Sequence, residues 1–357
     1  MDRKRDVGLT EHIEGKASAG YTVFSSFGER KTRMVDLDGR LVHSWDLPDT
    51  AGLWAQLLES GNLLVAISTG KSTLGGEGGG GGAVLELDWD GNEVWRYDDD
   101  EQHHDFSRCP NGNTMILGRE LVPSKLTGAV QGGFPGSEPS QGILGDYFHE
   151  VTPAGEVVWE WHTHEGLDFA EDAICPLHDR REWTHANACT VLPDGNVLTS
   201  FRLLNTIGIV DRATGTFSWK YRDLALGHQH DPTLLENGNI LVFANGFHVP
   251  GPSASAIFEI DPRTDETVWE YRTKPPWEFS SYFISGAQRL PNGNTLICEG
   301  MTGRLFEVTM DSEVVWEYVN PFFGEHPRHG YVNSLFRARR YAPDFRGLAG
   351  RTLTAEA

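Results

Sequence analysis

Four histidines and one arginine in this 357-residue chain fall where a repeated hairpin would carry them to one place. Counting back from the turn glycine of each Gly-Asn hairpin, the eighth residue is Leu53, His104, Asn187, His230 or Ser285. The tenth is Ala51, Gln102, His185, His228 or Phe283. Side chains two apart share one face of a regular strand, so both rows are expected to point the same way. In the closing segment HGYVNSLFRAR, Tyr331 and Asn333 stand at matching places. Arg202 follows the His185 hairpin on the next strand, where a guanidinium beside imidazoles makes an anion site; its plainer reading is a salt bridge at the rim. His12, His43, His149, His162, His164, His178, His248 and His326 fall outside the rows and read as structural or loop histidines.

Imidazoles with a guanidinium, and with no paired carboxylates or Ser-His-Asp arrangement in view, suit the handling of a tetrahedral oxyanion. A neutral imidazole nitrogen can attack sulfur or phosphorus while Arg202 and a second, protonated histidine neutralise charge on the surrounding oxygens. The same side chains serve another chemistry: His104, His185 and His230 could hold one divalent metal ion and leave positions for water or substrate. Residue types alone leave both open.

The elements that must position these groups are repeats. A tryptophan ends a short alternating strand six times, at Trp45, Trp95, Trp159, Trp219, Trp269 and Trp316. Between these copies lies a Gly-Asn turn flanked by Val, Ile and Leu runs, ending at Asn62, Asn113, Asn196, Asn239 and Asn294. Such turns supply the positive φ of tight hairpins, and the runs beside them suit strands. The spacing fits one four-stranded sheet per repeat. The chain opens with a tryptophan hairpin that has no Gly-Asn hairpin before it and closes with VNSLFRARRY, which has no tryptophan hairpin after it.

The two ends therefore complete one blade. This predicts an all-β, six-bladed β-propeller closed by pairing of N-terminal and C-terminal strands, with no open sheet edge. An open pair of β-sandwiches would not require six copies of one hairpin. Residues 1–20 form an N-terminal extension, 21–341 the propeller and 342–357 a tail. The six tryptophans are expected to pack between blades. Three irregular stretches, residues 72–83, Pro123 to Gly145 and His162 to Glu182, read as loops. The first is glycine-rich and, with no GKS or GKT before a helix, reads as a flexible connector and not a phosphate loop.

With 30 basic against 51 acidic side chains the net charge is −21, which argues against nucleic acid or an anionic membrane as partner. No apolar stretch is long enough to span a bilayer, and the first residues lack a secretory pattern, so the expected location is cytoplasmic. Cys109, Cys175, Cys189 and Cys298 show no paired or zinc-type spacing and are expected to be reduced and mostly buried. Nothing in the sequence speaks to oligomeric state.

The segments HHDF (His103 to Phe106), EWTHAN (Glu182 to Asn187), SFRLLNTI (Ser200 to Ile207), GHQHD (Gly227 to Asp231) and AQRLPNGNTLI (Ala287 to Ile297) arrive in that order. With them the chain resembles the arylsulfotransferase family from about Tyr21 to Arg340. The resemblance implies a six-bladed propeller that moves a sulfuryl group from an aryl sulfate ester to a phenol through a sulfohistidine, without a nucleotide donor or other cofactor. It makes His230 the nucleophile, has His104, His185 and Arg202 bind the sulfuryl oxygens, and lets one of those histidines shuttle the phenolic proton. Asn187 would orient one of these groups, and His228, Tyr331 and Asn333 are further substrate-binding candidates from register. Two other functions compete: a metal-dependent lyase or hydrolase built on His104, His185 and His230, and a non-catalytic ligand-binding propeller.

Overall fold

The computed structural model describes residues 6–76 and 78–355. The first five residues of the expected extension, Glu77 of the glycine run and the last two residues of the tail lie outside the described residues. The chain is an all-β, six-bladed β-propeller with one antiparallel sheet per repeat. It separates into two compact units, one of residues up to Ser68, Val84–Arg96 and Phe283 onward, the other of Thr69–Ala83 and Tyr97–Tyr282.

In chain order, the blades begin with the strands Thr50–Leu57, Gln102–Arg108, Ala186–Val191, His230–Leu234, Gly286–Arg289 and Leu335–Tyr341. The last of these belongs to the blade begun by the N-terminus: it pairs antiparallel with Tyr21–Ser26, Tyr21 opposite Tyr341 and Phe24 opposite Ala338. The expected pairing of the two ends is thus present. Ahead of it, Gly8–His12 adds a fifth strand to the fifth blade by pairing with Val314–Val319.

Both sequence repeats have structural work beyond strand propensity. The indole N–H of Trp316 donates to Leu37 O at 2.8 Å, that of Trp45 to Asp88 O at 3.2 Å, and that of Trp159 to Arg212 O at 3.1 Å. Trp219 donates to Asp265 Oδ1 at 2.9 Å. In each case the acceptor sits in the outer turn of the following blade, so one residue both fills the gap between sheets and ties them together. The five turn glycines have φ between 85° and 90°, as Gly-Asn hairpins demand. The asparagine after the glycine is also a brace: Asn62, Asn239 and Asn294 donate to Glu86, Glu259 and Glu307, each on the third strand of its own blade, at 2.7, 2.7 and 2.6 Å. All four cysteines are buried free thiols.

The register argument fails at one point, and the failure matters for the site. Leu53, His104, His185, His228, Asp231 and Ser285 all have positive φ. Pairing shifts register close to four of these kinks, between Ala51 and Ala55, Ile116 and Gly118, Ala186 and Ala188, and His230 and Thr233. The beginnings of these strands are therefore bent, and residues two apart there do not share a face.

The tryptophan tie has a measurable worth. Trp316→Phe keeps most of the buried ring but leaves Leu37 O without its donor, and should lower the free energy of unfolding by roughly 1–3 kcal/mol. Urea titration should show the midpoint falling; an unchanged midpoint would mean that packing alone holds the blades.

Candidate functional site

All the site groups described next belong to the second compact unit. Left-handed backbone at His104 (φ 53°) and His185 (φ 47°) turns their side chains out of the regular strand alternation. The two rings, from different rows of the register, meet edge to face with centroids 4.7 Å apart.

Behind His104 stands a chain of polar groups that sets its protonation. His103 Nε2 lies 3.0 Å from Asp146 Oδ1, and His103 Nδ1 lies 2.7 Å from His104 Nδ1. Asp146 is itself held by the Ala186 N–H at 2.7 Å and by the Thr184 hydroxyl. Asp146 is the carboxylate nearest His103 Nε2, although the ring N–H is not aligned on it as a hydrogen bond; with the proton on Nε2, His103 Nδ1 accepts and His104 Nδ1 donates. The lone pair of His104 is then on Nε2. Burial, followed by the neighbouring His185, His103, Arg119 and His230, holds the His104 pKa well below that of a free imidazole. His103 is also lowered, by burial and then Arg119, with Asp146 opposing.

His185 has a different partner. Its Nδ1 is bonded to the Glu182 carboxylate, which places a negative charge beside the ring. Arg119 does not reach outward for a ligand: its guanidinium donates to Gly78 O at 2.8 Å and to Gly75 O. The glycine run is therefore no free connector. It is further pinned by Glu101, which accepts from Ser72 Oγ at 2.7 Å and Thr73 N at 2.9 Å. Gly79 O accepts from the His104 N–H at 2.9 Å, and a Cβ on Gly79 would overlap the His104 imidazole. Glycine here permits backbone to lie against an imidazole.

His230 is 1% exposed, and its Nδ1 lies 2.8 Å from Asn245 Oδ1. The Asn245 amide nitrogen donates to Ser281 O at 2.7 Å, which fixes the oxygen toward His230. His230 Nδ1 must then carry the proton, and the lone pair of the ring lies on Nε2. Asn187 acts one step away: its amide donates to Gln229 O at 2.9 Å, within the peptide that joins His228 to His230. The Gln229 side chain anchors the same peptide to Thr206 O at 2.8 Å and Ser200 Oγ at 2.9 Å. Arg202 is 7% exposed, and its backbone N–H donates to His185 O at 3.2 Å.

His228 turns elsewhere. It is fully buried, neither ring nitrogen has a hydrogen-bond partner among the described residues, and its ring meets those of His248 at 4.9 Å and His178 at 5.7 Å. An unpaired buried polar atom costs about 1–3 kcal/mol. Burial, then Arg202, pushes the His228 pKa far down, and burial, then Arg202, takes His178 to about 4. Tyr331 and Asn333 lie in the other unit; Tyr331 is 74% exposed and stacks on Phe323, and the Asn333 amide donates to Asn320 O at 2.8 Å. Among the described residues, His104, His185 and His230 are not one of the groups whose ligand atoms lie within 4.8 Å of one another. Those groups are Cys175, His228 and His248; Glu120, His162 and His164; and His149, Glu160 and His162.

Arg119 and Asn245, missed in the sequence, had a signal. Each stands six residues beyond the turn asparagine of its hairpin, the position held in the third blade by Arg202. Asp146 had none, because its partners are distant in sequence; His103 and Glu182 lay inside the HHDF and EWTHAN segments, but their contacts depend on the kinked strand starts.

Among solved structures, a protein of unknown function from Bacteroides caccae aligns with a TM-score of 0.55 at 14% identity, covering 90% of this chain and 99% of its own. A streptogramin B lyase aligns with a TM-score of 0.49 at 14% identity, covering 87% of this chain and 86% of its own. Virginiamycin B lyase from Staphylococcus aureus gives 0.48 at 10% identity, covering 89% and 90%. At such identities the likeness is one of fold alone. No curated protein matches the chain. The sequence profile described as Arylsulfotransferase (ASST) matches residues 55–321, a span that carries every histidine of the site. The chain thus belongs to the arylsulfotransferase family.

Proposed function

We propose that this protein transfers a sulfuryl group from an aryl sulfate to a phenolic acceptor in two steps, through a sulfohistidine at His230 Nε2. The observation that carries this reading is the Ser281–Asn245–His230 chain, which commits Nδ1 to donation and leaves one basic nitrogen. In the first step, the His230 Nε2 lone pair forms a bond to sulfur. The ester S–O bond breaks, its electron pair leaves with the phenolate, and the phenolate takes a proton from solvent. In the second step, the acceptor phenol gives its proton to the neutral His104 imidazole, which passes it on to solvent; the phenol oxygen attacks sulfur, and the N–S pair returns to His230.

His104 is the group we assign to the proton. Its Nδ1 faces His103, its Nε2 carries the lone pair that accepts, and the Asp146 carboxylate near His103 offsets the charge that arrives. His185, with Glu182 as counter-ion, and the buried Arg202 are assigned to the sulfuryl oxygens. His230 and Arg202 are buried, so these charges act with little screening.

Incubation with a nitrophenyl sulfate and excess phenol should release nitrophenol, and intact mass should reveal a sulfuryl adduct. Both should vanish in His230→Ala, with turnover down about 10³-fold or more. Failure to release phenol from any aryl sulfate would reject the proposal.

Asn245→Ala frees His230 to adopt either tautomer, and should cut kcat by about 10²-fold while leaving the donor KM nearly unchanged. An unaltered kcat would show that Asn245 does not set the nucleophile.

Acid should also destabilise the fold. His104, His178 and His228 have folded pKa values below the unfolded value near 6.5, so below it the unfolded chain binds more protons than the native one. Stability is full above about pH 6.5 and falls as pH drops toward 4; urea midpoints that stay flat between pH 7 and pH 4.5 would contradict this.

A further inference from the structure

We propose that Cys175, His228 and His248 form a binding site for one zinc-class divalent ion, separate from the groups assigned to sulfuryl transfer. Their ligand atoms lie within 4.8 Å of one another. Cys175 Sγ and His248 Nδ1 are 3.5 Å apart. Zinc bond lengths of about 2.3 Å to sulfur and 2.0–2.1 Å to nitrogen, at a tetrahedral angle, place those two atoms about 3.6 Å apart. The observed separation is already the edge of a zinc tetrahedron.

The second, independent observation is His228. It is fully buried with neither ring nitrogen bonded to any described residue, and a ring nitrogen faces the sulfur and the other imidazole. A buried imidazole with no partner is expected to have one when the site is filled. Two imidazoles and a thiol suit zinc, cobalt or copper and not magnesium or calcium.

Each ligand is held in place by backbone fastened elsewhere. The Cys175 N–H donates to Leu203 O at 2.8 Å, the His228 N–H to Asn205 Oδ1 at 2.7 Å, and the Phe247 N–H to Gly227 O at 2.9 Å. Phe247 stacks on His248 with centroids 3.9 Å apart, which sets that ring's plane. Three segments distant in sequence are thereby preorganised around one point, and ligand preorganisation raises metal affinity. On binding, a metal–sulfur bond forms and the Cys175 thiol proton passes to solvent; the thiolate offsets both the ion and the nearby Arg202. Three protein ligands leave a fourth position for water.

The test is a titration of chelator-treated, full-length protein with Co²⁺ alone, followed by displacement with Zn²⁺. The expected result is one equivalent of cobalt with tetrahedral d–d bands and a thiolate-to-cobalt charge-transfer band, bleached by zinc. Cys175→Ser should remove the charge-transfer band. His248→Ala, at a half-buried position that should spare the fold, should weaken zinc binding by more than the roughly 100-fold typical of losing an outer partner. Far-ultraviolet circular dichroism checks that both variants remain folded. Absence of the thiolate band in the parent protein, its persistence in folded Cys175→Ser, or cobalt binding with imidazole and carboxylate bands only, as the Glu120, His162 and His164 group would give, overturns the proposal.

Discussion

A buried imidazole offers a defined lone pair only when its other nitrogen is committed to a partner that cannot reverse roles. That constraint organises the site. Asn245 commits His230 because its own amide is tied to Ser281 O. Asp146, 3.0 Å from His103 Nε2, favours the tautomer of His103 in which His104 donates. Glu182 commits His185. In each case a polar group with a one-way role, a carbonyl, a carboxylate or a fixed amide, lies behind the ring, and the tautomer follows from it.

The scaffold makes these commitments possible by breaking its own regularity. A strand with strict alternation would send His104 and Gln102 to one face, and His185 and Asn187 to another common face. Left-handed residues at the strand starts cancel that rule, and the histidines that meet come from different rows. Backbone strain of this kind costs of order 1–3 kcal/mol per residue and persists only where the surroundings hold it. Here they do: the Gln229 amide, Asn187 and the glycine run all fasten the kinked segments.

The glycine run shows how composition misleads about mobility. A string of glycines is flexible as a free chain, yet lack of Cβ also lets backbone approach a ring or a guanidinium closely. Arg119 and Glu101 fasten this run, and Gly79 rests on His104. The same trait that suggests disorder is what permits contact.

The six tryptophan hairpins, the Gly-Asn turns and the unmatched ends were enough to read the propeller and the pairing of its termini, because period-two strands and positive-φ turns are local properties of the chain. The register positions of His104, His185, His230 and Arg202 were also legible, since a repeat places equivalent residues equivalently, and Arg119 and Asn245 stood at the same register as Arg202. Which imidazoles touch was not legible. The kinks that part His228 from His230 and send it toward Cys175 and His248, the Glu182–His185 contact that rests on such a kink, and the long-range partners Asp146 and Ser281 exist only once separate blades pack. Tautomer and lone-pair direction are set by those packed neighbours, and no local pattern of residues carries that information.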